Sequence, residues 1–225
     1  MNTSGFRTPK DIIVLSVRWY LRYNLSYRDL EEILLERGIQ RDHSSIFRWV
    51  IHFTPILVES FRARRKVTGD RWRLDETEIK VNGEARYLYR AVDKEGNTID
   101  FLLTAKRDRK AATRFLEKAI SSGKEPSLIN IDKSGANTAG INDYNDDHGT
   151  EIEIRQCKYL NNIVESDHWP IKRRMRLMMG FKSFWTARIV LAGIEIVRMI
   201  RKGQMKLRRG QCVLSDAELF YSLAT

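Results

Sequence analysis

The sequence predicts an α-helical domain followed by an α/β domain with a mixed five-stranded sheet. Two changes in pattern lead to this prediction. Up to about residue 66, apolar residues recur at helical spacing, whereas from Trp72 they alternate with polar residues, as in half-buried strands. From residue 161 a long, basic, helix-patterned segment follows. A chain of 225 residues allows one large domain or one domain with a small addition.

Charge is the most informative bulk property. The net charge of +11 and the isoelectric point near 9.8 indicate a polyanionic partner, which could be DNA, RNA or a membrane surface. Residues 157–210 hold 13 Lys and Arg against three acids, although a basic surface can also serve solubility alone. The chain has neither an apolar run of about 18 residues nor an apolar signal-peptide core, so we expect a cytoplasmic protein without membrane contact.

Three helices are predicted in the N-terminal part. The first covers residues 9–23, and the second runs over Tyr27–Arg37 between a capping box at Ser26 and a glycine C-cap at Gly38. Ser44 or Ser45 is expected to cap the third helix, which is followed by a helix and connector over residues 54–70.

The short turn between the second and third helices predicts a helix-turn-helix domain over residues 1–66. In that motif the start of the last helix faces the major groove of DNA. The residues placed there are His43, Ser44, Ser45 and Arg48, with Arg48 a candidate for reading guanine. Helical hairpins with glycine turns also occur in proteins that bind no DNA, so the basic charge supports this interpretation.

The second domain is predicted over residues 67–206, with a tail over 207–225. Strands are expected at 72–81 and 87–92, joined by an Asn82-Gly83 turn, then at 98–104, 127–131 and 152–157. Helices are expected at 109–122, from residue 161 to a break near Gly180, and at 183–202, and residues 133–150 should contain at most a short helix. This order of strands and helices is that of the ribonuclease-H-like fold.

Three acids lie where that fold carries the ligands of a two-metal phosphoryl-transfer site. Asp75 is on the first strand, Asp132 directly follows the fourth strand, and Glu165 is on the helix that follows the fifth. Strand alternation puts Asp75 on the face of Ile79 and Val81, where an acid is unusual unless it is paired or metal-bound. A few carboxylates are enough to hold two Mg²⁺ ions, because Mg²⁺ prefers oxygen ligands and retains several of its waters.

Each acid also has an ordinary explanation. Asp75 fits a solvated edge strand, Asp132 fits a turn at a strand end, and Glu165 fits a solvated helix face. The rival acids lie in a polar stretch without an anchoring strand; they are Asp143, Asp146 and Asp147. Lys172 follows Glu165 by seven residues, almost two helical turns, so both should lie on one face.

Several stretches of the chain resemble DDE-type transposases of bacterial insertion sequences, most closely the insertion-sequence-six family. The resemblance extends over nearly the whole chain. The stretches are Leu25-Ser-Tyr-Arg-Asp-Leu30, His43-Ser-Ser-Ile-Phe-Arg-Trp-Val50, Trp72-Arg-Leu-Asp-Glu-Thr77, Tyr87-Leu-Tyr-Arg-Ala-Val-Asp93, Lys158-Tyr-Leu-Asn-Asn-Ile-Val-Glu-Ser-Asp-His168, Gly180-Phe-Lys-Ser-Phe184 and Gly193-Ile-Glu195.

The resemblance implies that Asp75, Asp132 and Glu165 are catalytic and hold two Mg²⁺ ions, with Mn²⁺ as a substitute. It implies that Lys172, with Arg173 beside it, contacts DNA. The expected substrate is double-stranded DNA, both terminal inverted repeats and target, moved by a replicative, cointegrate-forming route. Two DNA ends imply a homodimer or higher oligomer on DNA.

Two departures from the family pattern stand out. Glu78 replaces a frequent tyrosine, so Glu76 and Glu78 add negative charge near the site. Trp169-Pro170 replaces polar or basic residues, and a proline inside a helix costs about 3 kcal/mol if it is not accommodated and can kink the helix. Two alternative functions remain: a ribonuclease-H-like nuclease that only hydrolyses, and an inactive helix-turn-helix repressor.

Overall fold

A computed structural model describes residues 1–3, 5–157, 161–177, 181–207 and 214–225. It divides them into two compact units: unit 1 comprises Met1–Lys66 and Lys182–Thr225, and unit 2 comprises Val67–Phe181. None of the described helices is long and apolar enough to cross a bilayer. The expected helix break at Gly180 and the Lys158–Leu160 part of the resemblance lie outside the described residues.

The described elements follow one another along the chain as helices, then strands, then alternating strands and helices. They are α1 Lys10–Arg22, α2 Tyr27–Leu35, α3 His43–Ala63, β1 Arg71–Val81, β2 Glu84–Asp93, β3 Thr98–Thr104, α4 Arg109–Ser121, β4 Leu128–Ile131, α5 Gly135–His148, β5 Glu153–Gln156, α6 Asn162–Leu177, α7 Phe184–Arg201 and α8 Asp216–Tyr221.

The predicted helix ends in unit 1 are mostly confirmed. Ser26 and Asp29 form the capping box of α2, and Gly38 has the left-handed φ of +72°. The predicted cap of α3 is wrong, because Asp42, and neither Ser44 nor Ser45, caps this helix by accepting from the Ser45 backbone N–H. An aspartate carboxylate can accept from several donors at once, so it also takes the two serine hydroxyls.

The C-terminal helices α7 and α8 belong to unit 1, which differs from the expected boundary after residue 206. Helix α7 packs against α1 and α3. At Gly193 the helices approach so closely that an added Cβ would lie 2.5 Å from Leu21 and 2.8 Å from Thr54. The expected tail contains α8, which has its own capping box at Ser215 and buries Phe220.

The sheet of unit 2 has the order β3-β2-β1-β4-β5. β1, β2 and β3 form an antiparallel meander, whereas β4 and β5 run parallel to β1. Asn82 and Gly83, with φ of +53° and +78°, make the predicted two-residue turn between β1 and β2. This strand order and these directions are those of the ribonuclease-H-like fold, so the predicted fold class is confirmed.

Strand alternation gives the two faces of the sheet different partners. Trp72 and Leu74 of β1 face a buried core that α4 and α5 complete through Phe115 and Ile141. Helix α6 packs on β1 and β2 from the face of Asp75. Helix α6 continues through Pro170, so the structure accommodates the proline within the helix.

The prediction of at most a short helix over residues 133–150 is wrong. Helix α5 has 14 residues between a cap at Ser134 and a left-handed Gly149. Its composition is polar and rich in Gly, Asn and Asp, so its apolar stripe is reduced to Ile141 and Tyr144. Gly140 lets α5 approach α4 closely, since an added Cβ would lie 2.7 Å from the Ala112 Cβ and 3.0 Å from the Thr113 backbone N.

Substitution of Gly140 by Ala should destabilise unit 2. The new methyl group would meet backbone of α4 that cannot move aside like a side-chain tip, and overpacking of this kind costs about 1–3 kcal/mol. Gly135→Ala is the matched control in the same helix, because its Cβ would meet nothing within 4 Å. Urea denaturation measures both free energies of unfolding. Equal stabilities for the two variants would contradict this account of the α4–α5 contact.

Candidate active site and nucleic-acid interface

The first two predicted acids lie on neighbouring strands. β1 and β4 pair in parallel up to Arg73 opposite Asn130. If the same register continued for two residues, Asp75 would be level with Asp132, which directly follows β4. Adjacent strands are about 4.8 Å apart, so the two acids would then be neighbours at the end of β4. The parallel arrangement of β1 and β4 therefore favours proximity of Asp75, within β1, and Asp132, at the end of β4.

A buried amide pair fixes the start of α6 against these two strands. Asn161 donates from Nδ2 to the Leu74 carbonyl oxygen at 3.2 Å, one residue before Asp75. Asn130 of β4 donates from Nδ2 to Asn161 Oδ1 and to the Cys157 carbonyl oxygen. Both asparagine side chains are almost fully buried. Glu165 lies about one helical turn beyond Asn161, so the anchored start of α6 places it on the same side of the sheet as Asp75.

A second buried contact holds α6 further along. Arg90 of β2, opposite Asp75 in the register, is fully buried, and its Nη2 lies 2.6 Å from Asp167 Oδ2. The same guanidinium donates from Nη1 to the Asp167 carbonyl oxygen at 2.6 Å. The neighbouring His168 is also buried, and its Nε2 lies 3.9 Å from Asp75 Oδ2. Asp75 therefore lies beneath α6.

The electrostatic environment of Asp75 includes the charges of the other two predicted acids. Burial raises the pKa of Asp75 to about 7, and the negative charge of Glu76 acts in the same direction. The charges of Asp132 and Glu165 also raise this pKa, which requires both carboxylates to be near Asp75. The site therefore concentrates negative charge that a bound cation would stabilise.

Asp132 also fits a metal ligand. Its Oδ1 atom is buried and accepts no hydrogen bond from the described residues, which is costly unless another ligand is bound. Its Oδ2 atom is 3.9 Å from Arg107 Nη2. Within the described part of the chain, no three His, Cys, Asp or Glu side chains already form a metal cluster. The oxygen donors suit Mg²⁺, and the acids would have to converge further to share an ion.

The sequence analysis missed a cation beside the acids. Glu76 has only 2% of its side chain exposed, and it pairs with Arg107 Nε and accepts a 2.9 Å hydrogen bond from Asn137. Glu76 was correctly expected to add charge near the site, but its partner Arg107 lies between β3 and α4 and was not identified. A buried glutamate on the core face of β1 was the one signal that a cation must lie nearby.

The remaining predicted residues of α6 lie at its surface. Glu165, Lys172 and Arg173 are all exposed. Trp169 is 60% exposed, and the Arg173 guanidinium lies over its ring at 5.4 Å. The exposed side of α6 thus carries one of the three acids together with basic and aromatic groups.

The predicted DNA-reading residues lie at the start of α3 in unit 1. Ser44 and Ser45 both donate hydroxyl hydrogen bonds to Asp42, which lowers the pKa of Asp42. Arg48 is exposed and donates to the Ser44 carbonyl oxygen and the Ser45 hydroxyl at 3.3 Å each. His43 Nδ1 is 2.9 Å from Glu31 Oε2. The two serines therefore orient Arg48.

Two further arginines flank this helix start, and the sequence analysis did not identify them. Arg41 donates to the Thr8 hydroxyl and to the Arg7 carbonyl oxygen, which holds the N-terminal segment beside α3. Arg7, Arg41 and Arg48 line one cleft together with Trp49. The three guanidinium groups make the cleft basic, and the carboxylate of Asp42, which lines the same cleft, offsets part of that charge.

A family model and two sequence relatives agree on one family. The profile of a family described as a DDE domain, of the IS240 transposase type, matches residues 69–204. The chain is 38% identical over 194 residues, 86% of this chain and 85% of the relative, to the transposase of the insertion-sequence-like element IS431mec from Staphylococcus aureus strain Mu50. The same figures hold for the transposase of insertion sequence IS257 in transposon Tn4003 from Staphylococcus aureus.

Among solved structures, the chain is similar to the catalytic core domain of HTLV-2 integrase in complex with magnesium, with a TM-score of 0.45 and 17% identity. That alignment covers 58% of this chain and 86% of the integrase domain. It is also similar to the catalytic core domain of BIV integrase, with a TM-score of 0.44, 14% identity, and coverage of 68% and 94%.

Replacing Asp75 by Asn should stabilise the metal-free protein above neutral pH. The folded pKa of Asp75 is about 7 and its ordinary value is 3.8, so the folded state binds the extra proton and stability falls as pH rises between these values. About three pH units correspond to at most about 4 kcal/mol. Urea denaturation in a chelator should show the variant more stable at pH 8 and nearly equal at pH 4.

Asp147→Asn is the control for this prediction, because Asp147 is an exposed acid of the same unit. It should leave the stability difference between pH 4 and pH 8 as in the wild-type protein. A pH-independent effect of Asp75→Asn would contradict the raised pKa.

Proposed function

Because the chain belongs to the insertion-sequence-six family of DDE transposases, we propose that it binds the terminal inverted repeats of an element and catalyses strand cleavage and strand transfer with divalent metal ions. Two observations support the proposal: the parallel register of β1 and β4 runs toward Asp75 and Asp132, and the charges of Asp132 and Glu165 raise the pKa of half-buried Asp75. The three proposed ligands come from β1, the end of β4 and α6.

The reaction is transfer of a phosphodiester. In the first step water attacks the phosphorus at the element end, a P–O bond forms, and the bond to the 3′ oxygen breaks; that oxygen takes the proton. In the second step the freed 3′-hydroxyl attacks a target phosphodiester, and the displaced 3′ oxygen takes the proton. Bound divalent ions would activate the attacking oxygen and stabilise the leaving oxygen.

The residues of the chain divide these tasks. Asp75 and Asp132 would hold both ions, and Glu165 would complete the second position. The Arg90–Asp167 pair keeps α6 in place, and His168 lies beside Asp75. Mg²⁺ is the expected ion because every proposed ligand is a carboxylate oxygen, and Mn²⁺ would substitute for it.

DNA binding is proposed for both units. In unit 1, Arg48 would contact base edges, and Arg7 and Arg41 would contact phosphates. Ser44, Ser45 and His43 would orient Arg48 or contact the DNA backbone. In unit 2, Lys172 and Arg173 would contact phosphates beside Glu165. Two DNA ends require at least a homodimer, in a replicative, cointegrate-forming reaction. Because the proposed substrate is DNA, we also propose that the protein acts in the cytoplasm.

Asp75→Asn should bind the element ends with unchanged affinity and lose Mg²⁺-dependent strand transfer. The amide keeps the shape of the carboxylate but contributes no negative charge to the ions. Gel assays should resolve nicked from joined products, and Asp147→Asn should retain both. Mg²⁺ should raise the melting temperature of the wild type at pH 8 and leave that of Asp75→Asn unchanged. Strand transfer by Asp75→Asn would rule out this catalytic role.

The same assay separates the alternatives. A nuclease that only hydrolyses would give nicked products without joined ones. A repressor would bind DNA without either product and without a Mg²⁺-dependent change in melting temperature.

Arg48→Ala should reduce discrimination between the element ends and an unrelated duplex. A guanidinium that contacts base edges contributes about 1–3 kcal/mol of discrimination, whereas phosphate contacts affect every sequence alike. Fluorescence anisotropy on both duplexes measures the ratio of affinities. Arg188→Ala, an exposed arginine on α7 of the same unit, should leave that ratio unchanged. An unchanged ratio in Arg48→Ala would remove Arg48 from sequence reading.

A further inference from the structure

Arg107 stands between two acids of unit 2 that differ in burial. Its Nε faces Glu76 Oε1, and its Nη2 lies 3.9 Å from Asp132 Oδ2. Glu76 has 2% of its side chain exposed and Asp132 has 42%. Arg107 itself has 43% of its side chain exposed, so one edge of the guanidinium is held inside the protein while the rest is accessible to a ligand.

The inner edge is fixed by a chain of contacts. Glu76 accepts a 2.9 Å hydrogen bond from Asn137 Nδ2 at Oε2, and Asn137 has only 1% of its surface exposed. Asn137 lies in the first turn of α5, and its backbone N–H donates to the Ser134 hydroxyl. Since a buried carboxylate is stable only when paired, Glu76 holds the guanidinium in one orientation.

The outer edge of the guanidinium faces Asp132 without forming a hydrogen bond to it. A distance of 3.9 Å between Arg107 Nη2 and Asp132 Oδ2 exceeds the 2.7–3.2 Å of a hydrogen bond. The guanidinium therefore keeps N–H donors available next to the carboxylate that would hold a metal ion. A planar guanidinium matches the oxygens of a phosphate better than any other side chain.

We propose that Arg107 is a further catalytic residue, which donates hydrogen bonds to a non-bridging oxygen of the scissile DNA phosphate, and that Glu76 and Asn137 are its positioning residues. This inference rests on the proposed transposase function. Negative charge grows on the phosphate oxygens as the attacking oxygen approaches, and a preoriented cation stabilises that charge more than it stabilises the ground state. Glu76 thus serves the site through the arginine it orients.

The opposing explanation is that Arg107 only neutralises buried Glu76, and a double variant separates the two. Arg107→Gln alone leaves Glu76 buried without its counter-ion, so it should lower both the melting temperature and the rate. Glu76→Gln combined with Arg107→Gln removes both charges and should recover the melting temperature. Under the proposal the double variant stays about 10²–10³-fold slower in strand transfer than the wild type. Recovery of the rate together with the melting temperature would overturn the proposal.

Arg109→Gln is the matched control, because Arg109 also pairs with an acid, Asp143, and lies two residues away. It should keep the wild-type rate. Arg107→Lys should recover only part of the rate, since an ammonium group supplies charge without the fork of donors. Recovery of the full rate by lysine would show that charge alone is needed and would contradict the guanidinium contact.

A binding measurement makes the inference independent of turnover. In Ca²⁺, the affinity of the wild type for an end duplex should fall with salt, and Arg107→Gln should reduce the slope of log K against log salt by about one. The slope for Arg109→Gln should equal that of the wild type. An inactive wild type would contradict the transposase proposal alone, whereas an unchanged slope in Arg107→Gln would contradict the role of Arg107.

Discussion

The buried pair between Arg90 and Asp167 is the interaction on which the site depends. It joins β2 to α6 through two contacts of 2.6 Å, one to the carboxylate and one to the backbone carbonyl. Arg90 is fully buried, so removal of either partner would leave a charge in the interior at a cost of about 3–5 kcal/mol. With the Asn130–Asn161 pair at its start, α6 is fixed at two points over Asp75.

This anchoring forces like charges together. Asp75 lies under α6, next to Asp132 along the strand register, and Glu165 adds its charge from the helix. The nearby cation Arg90 does not relieve this repulsion, because its charge is already paired with that of Asp167. A folded protein that holds acids together in this way gives up stability in return for affinity for cations. Arg107 moderates the repulsion from the other face by pairing with Glu76.

Local patterns predicted much of this architecture. The Asn82-Gly83 turn, the Ser26 capping box and the alternation along β1 were each readable within about ten residues, and alternation alone put Asp75 and Glu76 on opposite faces. Features that depend on distant residues were not readable. Arg107 and Glu76 are far apart in sequence, and the polar composition of α5 hid its apolar stripe.

The placement of α7 could not be read from the sequence for a similar reason. Its helical pattern was evident, but only the close approach at Gly193 to Leu21 and Thr54 reveals which helices it packs against. The N-cap of α3 was also not predictable from the sequence, although its candidates lie within four residues. Asp42, Ser44 and Ser45 are all good capping residues, and the choice among them depended on which side chain could accept several hydrogen bonds at once.

Unit 1 is assembled from two segments, Met1–Lys66 and Lys182–Thr225, that flank unit 2 in the sequence. The ribosome synthesises α1, α2 and α3 before unit 2, and α7 and α8 after it. Until α7 is made, the surface of Leu21 that meets Gly193 stays uncovered, while the sheet of unit 2 can already form. A chain that stopped before α7 would therefore leave the surface of Leu21 that meets α7 at Gly193 uncovered, and its N-terminal helices would lack part of their unit.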